Sequence, residues 1–165
     1  MKYIFSVVGV CLLSACSSGG SGGDSSVSTP TVPVVVPTAG DSASFGTLLN
    51  NVRTSNGADT ISYDARLAAA AQVHSDDQLS MGDLTHVGSD GSNAGERIAA
   101  QGYDPITWGE NVARGQQTEA DVFAAWTNST DHHENNINPA FENFGIAKAG
   151  SGSQTYWTLV LATER

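Results

Sequence analysis

Four histidines, His74, His86, His132 and His133, are the side chains best suited to chemistry in this chain. An imidazole serves as base, acid or metal ligand near neutral pH. Their spacing matches no short catalytic motif. His133-Glu134 begins like the HExxH of a zinc protease, but Ile137 stands where the second histidine belongs. No GxSxG elbow and no phosphate-cradling glycine loop occur. The two cysteines, Cys11 and Cys16, lie within the first sixteen residues. The rest of the sequence therefore has no disulfide and no thiolate for a nucleophile or a structural zinc site. The 165 residues carry 7 Lys+Arg against 17 Asp+Glu, a formal charge of −10. Phosphate binding needs a basic face, and here each Lys or Arg stands alone, so nucleic acid is excluded as a partner. The acids are spread along the chain and lack the spacing of a calcium loop.

The elements that must position the histidines are legible in part. Phe45, Leu48, Leu49 and Val52 fall at i, i+3, i+4, i+7, a helix face with Gly57 as its stop. Asp64 is placed as the N-cap of a longer helix over Ala65–Met81, ended by Gly82. Its inward stripe is Leu67, Ala70, Ala71, His74 and Met81, which makes His74 a satisfied structural histidine. A short helix is expected over residues 94–101, stopped by Gly102. Another opens at Thr118, with Asp121 completing an approximate capping box and Val122, Phe123 and Trp126 on one side. Residues 144–149 and 155–162 read as strands joined by Gly150-Ser151-Gly152-Ser153, a hairpin signal. Both alternating faces of the second strand are apolar or aromatic, so it is expected to be central and covered on both sides. The fold class expected is α+β: a three-layer α-β-α sandwich around a small antiparallel sheet. Trp108, Trp126 and Trp157 are assigned to core or cleft wall.

Ahead of this domain lie two different segments. Residues 1–15 combine a short positive start with an apolar run, Tyr3 to Leu13, too short for a spanning helix of about 20 residues. The run ends in Leu13-Ser14-Ala15-Cys16, which resembles a bacterial lipobox. That resemblance implies cleavage before Cys16 and its lipidation, hence a membrane anchor in the cell envelope. Ser17 after the cysteine favours an outer membrane if there are two. Residues 16–44 are the lipidated cysteine and a Ser/Gly- then Thr/Pro/Val-rich tether, read as disordered because it has too little apolar surface to offset its ordering entropy. The domain is residues 45–165, 121 residues, long enough for one core without staples.

Longer blocks carry a resemblance. In order they are Leu49-Asn50-Asn51-Val52-Arg53, Ala70-Ala71-Gln72-Val73-His74-Ser75-Asp76-Asp77, Leu84-Thr85-His86, Asp90-Gly91-Ser92 with Arg97-Ile98, and Gly102-Tyr103. Gly109-Glu110-Asn111-Val112-Ala113, Trp126-Thr127-Asn128-Ser129-Thr130-Asp131-His132, Phe144-Gly145-Ile146-Ala147 and Tyr156-Trp157 follow. Together they resemble the bacterial branch of the CAP superfamily, the SCP domain, over essentially all of residues 45–162. The resemblance implies an α-β-α sandwich with an open cleft carrying two His and two Glu. The first His matches His86, the first Glu matches Glu110, and the second His matches His132. The second Glu's position holds Ala124, so a triad remains. Asn111 and Ser129 complete the expected cleft, and Arg97 is expected to anchor a loop through an ion pair.

Two imidazoles and one carboxylate would suit an open zinc site, which makes a divalent metal such as Zn the cofactor to test. The resemblance therefore implies a lipid-anchored, monomeric envelope protein whose cleft binds a small ligand, a lipid, a peptide or an envelope partner. The alternative is a metal-assisted extracytoplasmic hydrolase using His86, Glu110 and His132. A further enzymatic reading pairs Ser129 as nucleophile with His132 as base; capping a helix is the plainer role for Ser129.

Overall fold

The computed structural model describes residues 39–165, with side chains from residue 43 onward. The signal segment, Cys16 and tether residues 17–38 lie outside the described residues. Five helices and four strands follow in the order α1 (Ala39–Ser55), β1 (Ser62–Tyr63), α2 (Ala65–Met81), α3 (Ala94–Ala100), β2 (Pro105–Arg114), α4 (Glu119–Thr127), α5 (Thr130–Ile137), β3 (Asn143–Ala149) and β4 (Tyr156–Glu164). Among the described residues no helix is long and apolar enough to cross a membrane.

Local chemistry explains most of these boundaries. The side chain of Asp64 accepts the Arg66 N–H at 2.8 Å, and Gly82 leaves α2 at φ 71°. Asn93 and Glu96 form a reciprocal capping box at α3, and the Thr118 hydroxyl accepts the Asp121 N–H at α4. Helix α1 starts earlier than expected: residues 39–44, assigned to the tether, are helical. Extending a helix from a packed turn adds one hydrogen bond per residue, so weak helix formers are carried along.

The sheet order is β1-β3-β4-β2. β4 pairs antiparallel with β2 and β3, while two-residue β1 joins β3 in parallel. β4 is thus interior, and its alternation separates two cores. Trp157, Leu159 and Leu161 pack with Phe45, Leu49, Val122 and Trp126 from α1 and α4. Val160 and Ala162 pack with Leu67, Ala70, Ala71 and Ile98 from α2 and α3. Each large side chain so buried contributes about 1.5–3 kcal/mol. This is the expected three-layer α+β sandwich. Gly145 lets α2 lie directly on the sheet, because a Cβ there would stand 2.1 Å from the Ala68 nitrogen.

The inward stripe of α2 differs from expectation at its end. Met81 is 38% exposed, and the buried face continues instead through His74, Ser75 and Gln78. The residue before β1 is tied to α1: the Asn50 side chain donates to the Ile61 carbonyl at 3.0 Å and accepts the Ile61 N–H at 2.9 Å. Arg53, fully buried at the end of α1, donates to the carbonyls of Asp59, Asn136, Asn138 and Phe141 at 2.7 to 3.3 Å. It fastens α1 to the far end of α5.

Candidate functional site

Strand β2 positions the site because its alternate residues face opposite layers. Glu110 points toward α2 and α3, while Asn111 points toward α5. On the first side, the Glu110 carboxylate is 2% exposed and the Arg97 side chain 5%. Arg97 Nη2 reaches Glu110 Oε2 at 2.7 Å. The same guanidinium donates to the carbonyls of Ser92 at 2.8 Å and His86 at 3.2 Å. Arg97 therefore anchors the loop through an ion pair, as expected. His86 Nδ1 lies 2.9 Å from Glu110 Oε1, and its side chain is 57% exposed. A carboxylate held by a guanidinium only accepts, so Nδ1 carries the hydrogen and Nε2 is left without a protein partner among the described residues. The hydrogen bond to Glu110 raises the His86 pKa, against an opposing effect of partial burial.

His74 lies beneath this pair, fully buried. Its Nε2 is 2.7 Å from the Thr85 carbonyl and 3.8 Å from Glu110 Oε1. The carbonyl contact is the hydrogen bond; the longer one is not. Nδ1 is buried with no partner, so His74 is structural but only half satisfied. Burial lowers its pKa and keeps it neutral.

His132 comes from the other side of β2, in the first turn of α5. Its backbone is braced by amides. Asn111 Nδ2 donates to the His132 carbonyl at 3.0 Å and to Asn136 Oδ1 at 3.0 Å, and Asn135 Nδ2 donates to Asn111 Oδ1 at 2.8 Å. The His132 ring makes no hydrogen bond among the described residues. Burial lowers its pKa, and the nearby charge of His86 lowers it further.

The other expected site residues are distributed as follows. Asn111 is completely buried and spends its amide on α5, so its role is bracing. Ser129 takes the N-cap position of α5, yet its hydroxyl makes no cap bond and is not bonded to the His132 ring. Its carbonyl accepts the His133 N–H at 2.8 Å. Ala124 is exposed on α4, and its methyl leaves the place of the second Glu without a carboxylate. Trp126 and Trp157 are core, whereas Trp108 is 45% exposed over Gly95. Val87 and Trp108 add exposed apolar surface close to His86 in the chain and on the Glu110 face of β2.

The expected three-ligand metal set does not fit this arrangement. Both Glu110 oxygens are engaged, one by Arg97 and one by His86. A guanidinium at 2.7 Å opposes a second cation on the same carboxylate. Glu110 thus acts on His86 from behind, as carboxylates do on metal-bound imidazoles, leaving two imidazoles as donors. Among the described residues no group of three His, Cys, Asp or Glu side chains is arranged to hold a metal ion.

Sequence reasoning did not anticipate that Arg97 and Glu110 pair, nor that His74 reaches Thr85. Arg97 and Glu110 are 13 positions apart on different elements, and no local pattern reports such a contact. The only signal was the polar turn of α2 after His74.

A family model described as the cysteine-rich secretory protein family, CAP, matches residues 47–161. The Bacillus subtilis protein YkwD is 32% identical over 111 residues, covering 67% of this chain and 42% of that protein. The chain thus spans less than half the length of that relative. An extracellular SCP-domain protein of Bacillus anthracis superposes with a TM-score of 0.68 at 20% identity, over 74% of this chain and 40% of its own. An outer surface protein of Borrelia burgdorferi gives 0.68 at 19% identity, over 78% of this chain and 96% of its own. At those identities the likeness is one of fold. With the family model spanning most of the sandwich, the chain belongs to the CAP, or cysteine-rich secretory protein, family.

Proposed function

We propose that this chain is an extracytoplasmic, lipid-anchored envelope protein whose CAP domain grips a small polar or amphiphilic ligand between His86 and His132. The lipobox-like ending at Cys16 supports the anchor. Two structural neighbours, an extracellular protein and an outer surface protein, agree with that location. The observation that carries the reading is His86 itself. An exposed imidazole is oriented by an ion pair that is almost entirely buried. Burying two charges costs several kcal/mol of desolvation per ion before pairing recovers it, and a passive surface loop needs no such support. His86 Nε2 offers a directed hydrogen bond, the His86 charge is felt at His132, and Val87 and Trp108 offer exposed apolar surface for the rest of a ligand. A divalent cation would find only the two imidazoles.

The test passes an envelope extract over the immobilised full chain, with His86→Ala and His132→Ala beside it, and identifies what is retained by mass spectrometry. One lost hydrogen bond to a charged group weakens retention roughly ten- to a hundredfold. Both variants are expected to show that loss. Equal retention by all three proteins overturns the cleft reading. Saturable zinc binding lost in His86→Ala would restore the metal-assisted alternative. Labelled palmitate incorporated by the wild type and not by Cys16→Ser tests the anchor.

A further inference from the structure

Helix α2 changes character along its buried face. Its first turns bury Leu67, Ala70 and Ala71, whereas its last turns bury His74, Ser75 and Gln78. The polar turns reach the chain that follows the helix. Gln78 Oε1 accepts the Thr85 N–H at 3.4 Å, and His74 Nε2 donates to the Thr85 carbonyl at 2.7 Å. Arg97 takes the next carbonyl, that of His86. Both peptide groups of Thr85 are thus held from α2, one residue before the exposed imidazole. The loop from Asp83 to Asn93 contains no helix or strand of its own, so its course at residue 86 depends on these side chains.

The chemistry of His74 points the same way. A residue that only filled space here would be served by an aliphatic side chain. His74 instead leaves Nδ1 buried without a partner, an unfavourable state, while Nε2 makes a short bond to Thr85. A carbonyl only accepts, so the tautomer is fixed with the hydrogen on Nε2.

We propose that His74 is a positioning residue for His86: its Nε2–H holds the Thr85 carbonyl so that the His86 ring meets Glu110 and stands exposed on the cleft wall. The use made of His86 rests on the proposed function; the positioning itself does not need a ligand. His74→Leu keeps an apolar filling and removes the donor. His74→Gln keeps an N–H able to reach the same carbonyl.

The experiment follows the His86 ring by NMR titration in the full chain, with amide exchange read in parallel. His74→Leu is expected to keep β4 protected while exchange at Val87 rises roughly tenfold. The His86 pKa should fall as the Glu110 contact is lost. His74→Gln should restore both. A folded His74→Leu with unchanged His86 titration and unchanged loop exchange overturns the proposal. If His74→Leu does not fold, His74→Asn, too short to reach Thr85, decides between the same outcomes. Ligand retention by the wild type is a separate readout. Retention with an unaltered His86 in His74→Leu removes only the positioning role, and a shifted His86 with no ligand ever retained removes only the cleft function.

Discussion

Two buried arginines hold the segments that carry His86 and His132, and they do it differently. Arg97 pairs with a carboxylate, Glu110, and through it with His86. Arg53 has no carboxylate in contact; it is surrounded by four backbone carbonyls, two of them at the end of α5, the helix that carries His132. Burial lowers the Arg53 pKa, with the Asp59 charge opposing from a distance. The wall under His86 is therefore built from ionisable side chains, while the wall under His132 is built from amides and main chain.

The largest effects are expected where each arginine's arrangement is removed in turn. Arg53→Met leaves four carbonyls without their donor. At about 1–3 kcal/mol for each buried group left unsatisfied, with some regaining water, a loss of about 4 kcal/mol is expected in urea unfolding. Glu110→Gln leaves the Arg97 guanidinium buried without its counter-charge, and about 3 kcal/mol should be lost. Equal tolerance of both would show that the walls are not built as described. Asn111→Leu strands Asn135, Asn136 and the His132 carbonyl. It should cost about 1–3 kcal/mol and leave the His86 titration where it was, because no amide of that network touches His86. The smallest effect is expected from Ala124→Glu. The site is exposed, so stability should stay within about 0.5 kcal/mol. A larger loss there would mean that the missing carboxylate's position is more crowded than the structure places it.

The pH signs follow from the same contrast. The folded pKa of His86 is raised, so its contribution to stability is complete below about 6.5 and is lost as pH rises through the folded value. His74 and His132 are lowered, so their contributions are complete above about 6.5 and are lost as pH falls through the folded values. His86 thus opposes the other two.

What the sequence disclosed depended on what each residue was selected to do. Asp64, Gly82 and Thr118 mark helix ends because capping is local chemistry, and α2 runs over the expected residues. The apolar faces of β4 announced a strand covered on both sides. β2 and α5 carried no such signal, and they are the elements that hold Glu110, Asn111 and His132. Gly109, Glu110 and Asn111 are poor strand formers, and in α5 Ile137 is the one apolar residue, so no helical period appears. Their residue types answer to the site instead of to the period. Blocks matched to the family supplied His86, Glu110 and His132 as candidates. The pairing with Arg97 and the hold of His74 on Thr85 are tertiary contacts that needed the fold.

The central claim is that Glu110 orients an exposed His86 imidazole. The most direct measurement is a 15N NMR titration of the imidazole rings in the wild type and in Glu110→Gln. The account predicts a wild-type His86 with its hydrogen on Nδ1, titrating above about 6.5, and a fall below that value in Glu110→Gln, where Arg97 is left unopposed. His132 should titrate below about 6.5 in the wild type and move upward when His86 loses its charge. An unchanged His86 in Glu110→Gln would contradict the claim.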